Sequence, residues 1–338
     1  QPLLDWYDAG HRDLPWRSEP APYRVWVSEI MLQQTRVEAV RGYFSRWMNA
    51  LADTSRFAAA DEAVYTKLWE GLGYYSRVRN LHRAAVLLCE QYGGELPADY
   101  DKLLSLPGVG EYTAGAVASI AFGLPVPAVD GNVLRVAARL DNDFTPITDA
   151  KFKKQTRERF AALMPSDRSG DLNQSLMELG ATVCLPNGAP RCADCPIQHL
   201  CEGFHRGNAA VLPLRAAKKA RRVEKRTVLV VRCGQLVGLR QRPKKGLLAG
   251  LWELPSLDGH LSPDELRAAL TEMGWSVRKL LFCGLPDIFF THVEWHINGV
   301  YVELDAPAPA LTFVTPAELR DAYALPSAFR SFVSVLED

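Results

Sequence analysis

Through its first 206 residues the chain repeats apolar positions at spacings of three and four. The runs LLDWYDAG (3–10), YRVWVSEIMLQQ (23–34), VEAVRGYFSRWM (37–48), AVYTKLWEGL (63–72) and VRNLHRAAVLLCEQYG (78–93) each gather their apolar residues on one side of a helix. Short connections rich in Gly, Pro and Asp separate them, and no strand-length β-branched run intervenes, so residues 1–206 predict an all-α domain. After His205 the period becomes that of strands, in TVLVVRC (227–233), QLVGLRQR (235–242), VRKLLFCG (277–284) and GVYVELD (299–305). Ser262-Pro263-Asp264-Glu265 and Thr315-Pro316-Ala317-Glu318 each supply a capping hydroxyl, a proline at the first helical position and a glutamate at the third. Residues 227–338 thus predict an α+β domain. Of the intervening residues 207–226, the stretch from Leu214 leads a run to Arg226 with seven basic residues and one acid; it lacks an apolar stripe and reads as an exposed linker.

At 338 residues and 48% hydrophobic, the chain can bury a core in each of two domains. It has no apolar run of eighteen residues and no signal-peptide pattern, which predicts a soluble cytoplasmic monomer with no membrane partner, nucleoid-associated if bacterial. Formal net charge is zero, with 22 Lys/Arg against 25 Asp/Glu over 1–206 and 17 against 14 over 207–338. A nucleic-acid partner must therefore be held by local patches and backbone amides.

Four places carry candidate chemistry. In LPGVG (106–110), Gly108 and Gly110 let the backbone turn sharply between a short helical run (Asp99 to Ser105) and a small-residue helix (Glu111 to Phe122), leaving amides to face a phosphate. A plain tight helix connection is the structural alternative. Glu29, on a helix beside Trp26, Ile30 and Gln33, is a carboxyl next to apolar bulk, which raises its pKa and suits a general acid; a solvated helix glutamate is the alternative. Asp130 precedes NVLRVAARL (132–140) as a helix N-cap, and it also supplies the second carboxylate that glycosidic cleavage through an oxocarbenium-like state requires. Four of the seven cysteines, Cys184, Cys192, Cys195 and Cys201, follow the spacing C-x7-C-x2-C-x5-C, which predicts metal or iron–sulfur ligation, zinc being the second choice. Cys89, Cys233 and Cys283 read as buried structural thiols.

With DLPWR (13–17), SEIMLQQT (28–35), GLGYYSRVRNLH (71–82), LPGVGEYTAGAV (106–117), VDGNV (129–133), NQSLMELGATVC (173–184), GLLAGLWELP (246–255) and FFTH (289–292), the chain closely resembles the A/G-specific adenine DNA glycosylases of the MutY family. The resemblance covers both domains. It implies a multidomain protein: an all-α helix-hairpin-helix glycosylase domain (hairpin 99–122) closed by a [4Fe-4S] loop (184–201), then an α+β Nudix-like domain that recognises 8-oxoguanine. The family's first cysteine gap is usually six residues; here it is seven, and the extra residue is expected to bulge. The implied substrate is double-stranded DNA with adenine opposite 8-oxoguanine or guanine. Glu29 is then the acid protonating adenine N7, and Asp130 stabilises or captures the sugar cation. Tyr112, Asn132 and Glu178 support that cation and the attacking water. Gln34, Leu72 and Tyr74 wedge the duplex around the flipped base, and Thr291 and His292 read 8-oxoguanine, with Thr where the family has Ser. The structural alternatives are packing for Tyr112, a surface charge for Glu178, and core and turn for residues 72–74. An endonuclease III-like lyase would need a lysine where Tyr112 stands. A non-catalytic mismatch binder is a further alternative. The stretch 265–274 lacks the paired acids of a Nudix hydrolase box, so a Nudix-like fold without hydrolysis is expected.

Overall fold

The computed structural model describes residues 1–215, 220–284, 286–329 and 332. The helices, in chain order, are α1 (Pro2–Gly10), α2 (Pro22–Leu32), α3 (Val37–Ala50), α4 (Thr54–Ala58), α5 (Glu62–Leu68), α6 (Ser76–Tyr92), α7 (Tyr100–Leu104), α8 (Glu111–Phe122), α9 (Gly131–Leu140), α10 (Ala150–Leu163), α11 (Ser169–Thr182) and α12 (Glu202–His205). Among the described residues no strand precedes Arg222, as the three-and-four spacing requires. The chain divides into two compact units, Gln1–Ala59 with Ser76–Ala217, and Ala60–Tyr75 with Lys218–Asp338.

In the first unit α8 packs against α2, α7 and α11. Its Ala114, Ala116 and Ala118 have no exposed surface, and such small side chains allow close helix approach. A second cluster joins α9 (Val133, Val136, Ala137) to α11 (Leu176, Leu179), with Ile197 completing it. The start of α9 is thereby locked to the cysteine-bearing loop.

The second unit is built on one mixed sheet of eight strands among its described residues. Its strands are β1 (Arg222–Cys233), β2 (Leu236–Gln241), β3 (Trp252–Glu253), β4 (Ser256–Asp258), β5 (Val277–Cys283), β6 (Ile288–Phe289), β7 (Val293–Leu304) and β8 (Thr312–Val314). The long β1 and β7 run parallel at its centre, paired from Arg222 with Val293 to Arg232 with Glu303, and the other pairings are antiparallel. Because strand side chains alternate, Val228 and Val230 enter one core with Trp295 and Leu319, while Leu229 and Val231 enter another with Leu266 and Leu270. Helix α13 (Pro263–Glu272) supplies Leu266 and Leu270, and α14 (Pro316–Asp321) supplies Leu319. Both helices open on the capping boxes read from the sequence.

Three expectations are corrected. The basic stretch is not all linker: residues 222–226 are the first half of β1, where main-chain pairing with β7 supplies what the absent apolar stripe does not. Glu224 there pairs with both Arg222 and Arg226. Residues 216–219 of that stretch lie outside the described residues. Residues 60–75 group with the second unit, since Lys67 Nζ donates to the Tyr323 carbonyl at 3.1 Å and Glu70 Oε1 accepts the Leu325 amide at 2.8 Å. Cys89, Cys233 and Cys283 are half-buried rather than buried, Cys233 and Cys283 because they end strands. Among the described residues no helix is long and apolar enough to cross a membrane.

Candidate active site

Helix α2 is buried nearly all round, through Tyr23, Val25, Trp26, Val27, Ile30 and Met31. A helix so enclosed carries its one carboxylate, Glu29, inside with it. Glu29 is 5% exposed and accepts a hydrogen bond on Oε2 from the Tyr112 hydroxyl, which stands in the first turn of α8. Asp130 is the N-cap of α9, as its position predicts: Oδ1 accepts the Val133 amide at 2.8 Å and Oδ2 accepts Asn132 Nδ2 at 2.7 Å. Glu29, Tyr112, Asp130, Asn132 and Glu178 line one cleft of about 520 Å³, together with Gln34, Gly110 and Arg12.

Its acids are pushed in opposite directions. Burial lifts Glu29 to about 7; the Tyr112 hydrogen bond opposes this and the nearby Asp130 charge adds to it. Burial also raises Asp130, against the stabilising bonds from Val133 and Asn132. Tyr112 is raised well above its ordinary value, by burial first and then by Glu29, so it remains a proton donor. Glu178 is 2% exposed and so no surface charge, but burial is outweighed there by hydrogen bonds from Arg12 and the charge of Arg17, and it stays below the ordinary value. Arg12 Nε reaches Glu178 Oε1 at 2.6 Å and Arg17 Nη2 reaches Oε2 at 2.8 Å. One carboxyl near neutrality and one held ionised in the same cleft can divide acid and anion roles.

These arginines were not singled out by sequence reasoning, although Arg17 lies within DLPWR; the usable signal was that a buried Glu178 must find cations. Arg135 was missed too. Its Nη2 donates to Asn132 Oδ1 at 2.8 Å and to the Gly180 carbonyl at 2.7 Å, and its Nε donates to the Cys184 carbonyl at 2.8 Å. Arg77 Nη1 caps the end of α2 at the carbonyls of Ile30 and Gln33, just before Gln34, whose φ of 60° is left-handed.

At the hairpin, Gly108 has φ +76° and a Cβ there would stand 2.5 Å from Asn80, so the turn and the close approach both need glycine. Gly110 differs from expectation: its backbone is extended, and it contributes open space at the start of α8, where no side-chain cap is present. The other predicted DNA contacts lie in the second unit. Leu72 is buried at 6% exposure and presents no wedge, whereas Tyr74 is 48% exposed. Thr291 and His292 form the exposed tip between β6 and β7, closed by the Phe290 amide bonding the Val293 carbonyl at 2.8 Å. The Tyr74 hydroxyl lies 2.6 Å from Thr291 Oγ1.

All four cysteines of the spaced set line one cavity, and none is disulfide-bonded. Burial raises Cys195 to about 11, and the neighbouring thiols add to it, so the set favours thiolates only with a cation among them. Among the described residues no three metal-binding side chains converge on a single-ion site. Four thiols lining one cavity suit the thiolate ligation of an iron–sulfur cluster. Arg139, 3% exposed, donates to Cys184 Sγ at 3.1 Å. Across the seven-residue first gap the Arg191 amide donates to the Val183 carbonyl at 2.9 Å, and Gly188 is left-handed at φ +75°.

Residues 27–163 match the HhH-GPD superfamily base excision DNA repair proteins, and residues 227–335 match the NUDIX domain. The chain is 36% identical to the adenine DNA glycosylase of Mus musculus, over 99% of this chain and 77% of that one. It is 37% identical to the adenine DNA glycosylase of Homo sapiens, over 95% and 70%. Among solved structures it is similar to a non-covalent endonuclease III–DNA complex, with a TM-score of 0.52 and 26% identity over 61% of this chain and 92% of that chain.

Proposed function

This chain belongs to the adenine DNA glycosylases, enzymes of base-excision repair acting on adenine, and from that premise we propose how it does so and on which pairs. It hydrolyses the N-glycosidic bond of adenine opposite 8-oxoguanine or guanine in double-stranded DNA, as a monomer that leaves the strand intact. The observation that carries this reading is the buried Glu29 carboxyl, poised near neutrality in the cleft that Asp130 also lines.

The glycosidic bond is inaccessible within stacked duplex, so adenine is extruded into the cleft and protein side chains fill the gap, at a few kcal/mol of lost stacking. Amides at the hairpin around Gly108 and Gly110 and basic side chains hold phosphates and offset that loss. Glu29 gives its proton to adenine N7, the glycosidic electron pair passes to the base, and the deoxyribose becomes an oxocarbenium. The Asp130 carboxylate stabilises or captures it. Water then adds to the anomeric carbon and its proton returns to Glu29, leaving adenine and an abasic site. Tyr112 orients Glu29, Asn132 orients Asp130, and Glu178, kept ionised by Arg12 and Arg17, supports the attacking water. Duplexes with A opposite 8-oxoguanine, G or T, developed with hot alkali, test this directly. Release is expected from the first two, and release from A opposite T alone would overturn the reading. Tyr112 has no amine, so borohydride is expected to trap no appreciable enzyme–DNA adduct. Efficient trapping would mean a lysine nucleophile and a lyase.

Thr291 and His292 read the opposite base at the exposed β6–β7 tip, and the threonine keeps the hydroxyl found in the family. Guanine and its 8-oxo form differ at C8 and N7, so one or two hydrogen bonds there are worth about 1–3 kcal/mol, roughly tenfold to a hundredfold. Thr291→Ala with His292→Ala is expected to lose most of the 8-oxoguanine preference, measured as the ratio of adenine release opposite 8-oxoguanine to that opposite guanine. An unchanged ratio would assign recognition to Gln34 and Tyr74.

Cys184, Cys192, Cys195 and Cys201 would hold a [4Fe-4S] cluster, which supplies a four-point covalent tie closing the helical unit. The purified protein is expected to be brown, and Cys192→Ser or Cys195→Ser to lose solubility or DNA affinity before altering Glu29 chemistry. A colourless, active protein with one zinc per chain would overturn the assignment.

A further inference from the structure

Residues 60–75 lie in sequence among the helices of the first unit yet pack with the second. Near the end of α5, Lys67 Nζ donates to the Tyr323 carbonyl at 3.1 Å and pairs with Glu70 at 2.7 Å. The other Glu70 oxygen accepts the Leu325 amide at 2.8 Å. Both side chains are only about one-fifth exposed, 21% and 20%, so these bonds are partly shielded from water. Beyond them the chain turns through Gly71 (φ 102°) and Gly73 (φ 71°) into Tyr74 at φ 46°. A bulky residue keeps this left-handed conformation only when its surroundings over-determine it. The surroundings are visible. Trp69 is fully buried and its indole donates to the Gly73 carbonyl at 3.1 Å, while the Tyr74 hydroxyl meets Thr291 Oγ1 at 2.6 Å.

We infer that Lys67 and Glu70 are positioning residues for opposite-base reading: they dock the 69–74 loop on the C-terminal unit, so that Tyr74 and the Thr291–His292 tip act as one reader. This rests on the function proposed above. Removing Glu70 leaves the Leu325 amide without this acceptor and the Lys67 ammonium without this partner. The loop then loses its anchor, Tyr74 relaxes from its left-handed conformation, and its bond to Thr291 opens.

The test uses the full chain and single-turnover adenine release from duplexes with A opposite 8-oxoguanine and A opposite G. Glu70→Ala and Lys67→Ala are each expected to lower the 8-oxoguanine preference roughly tenfold, within the usual range of coupling between sites, and to leave release opposite G within about threefold of wild type. Glu70→Gln keeps an acceptor for the Leu325 amide and is expected to retain most of the preference. In a Thr291→Val background, Glu70→Ala should lower the preference little further, because the contact it supports is already gone. Hydrogen exchange without DNA supplies a readout independent of catalysis: Glu70→Ala should speed exchange in residues 69–75 and 288–293 and leave 111–122 unchanged. Equal losses on both duplexes, additive effects with Thr291→Val, or unchanged exchange in 69–75 would overturn the docking role. A wild-type protein that releases adenine from neither duplex overturns the proposed function instead, and the docking role then stands or falls on the exchange result.

Discussion

Glu29→Gln is expected to reduce adenine release by roughly 10²–10⁴-fold, the range for loss of a general acid, with duplex affinity close to wild type. The amide keeps the size of the side chain and an acceptor for the Tyr112 hydroxyl but has no proton to give. Since Glu29 titrates at about 7, wild-type release should fall about tenfold per unit above that pH, and it should fall again toward acid pH as Asp130, raised by burial, takes up a proton. The same group acts on stability with a definite sign. Its folded pKa of about 7 lies above the ordinary 4.5, so its stabilising contribution is complete below about 4.5 and lost as pH rises through 7. Above that, the buried carboxylate destabilises the fold by about 3 kcal/mol relative to a neutral isostere. Glu29→Gln should therefore melt above wild type at pH 8 and level with it at pH 4. Activity within tenfold of wild type, or a lower melting temperature at pH 8, would remove Glu29 from the acid role.

Asp130→Asn should lose about 10²–10³-fold in rate, the usual size when a group stabilising transition-state charge is removed. Asparagine is as good an N-cap as aspartate, so the Val133 amide keeps its partner. The second oxygen is the difficulty. Asn132 points its amide nitrogen at Asp130 and its oxygen at Arg135, and Arg135 can only donate, so Asn132 cannot flip to receive a new N–H. Two donors then face one another, and a loss of about 1–3 kcal/mol in stability accompanies the rate loss. Neutralising a half-buried carboxylate returns part of that. A melting loss confined to this range, with binding retained, separates the chemical role from the cap; activity within tenfold of wild type overturns it.

Arg135 also marks where local reading stops. The N-cap at Asp130, the two capping boxes, the hairpin and the alternating strands were legible because each depends on residues within a few positions of one another. The acidity of Glu29 was legible for a related reason: Trp26, Ile30 and Gln33 lie within one helical turn of it and set apolar bulk beside the carboxyl. Contacts between distant segments were not. Nothing local ties Arg12 and Arg17 to Glu178, more than 150 positions away, or Arg135 to the carbonyls of Gly180 and Cys184. Charge itself misled in residues 222–226, where main-chain pairing with β7 overrides a composition suited to a linker. Residues 60–75 misled in the other way, since a short helix among helices carries no mark of the unit that will bury it. The sequence by itself thus determined most of the elements, the caps at Asp130, Ser262 and Thr315, and the two carboxylates that line the cleft, because backbone propensity and burial periodicity are local. Only the tertiary structure decided which cations hold Glu178 ionised, that the four thiols share a cavity, and that Tyr74 belongs with Thr291, because those follow from packing between segments whose spacing along the chain carries no periodic signal.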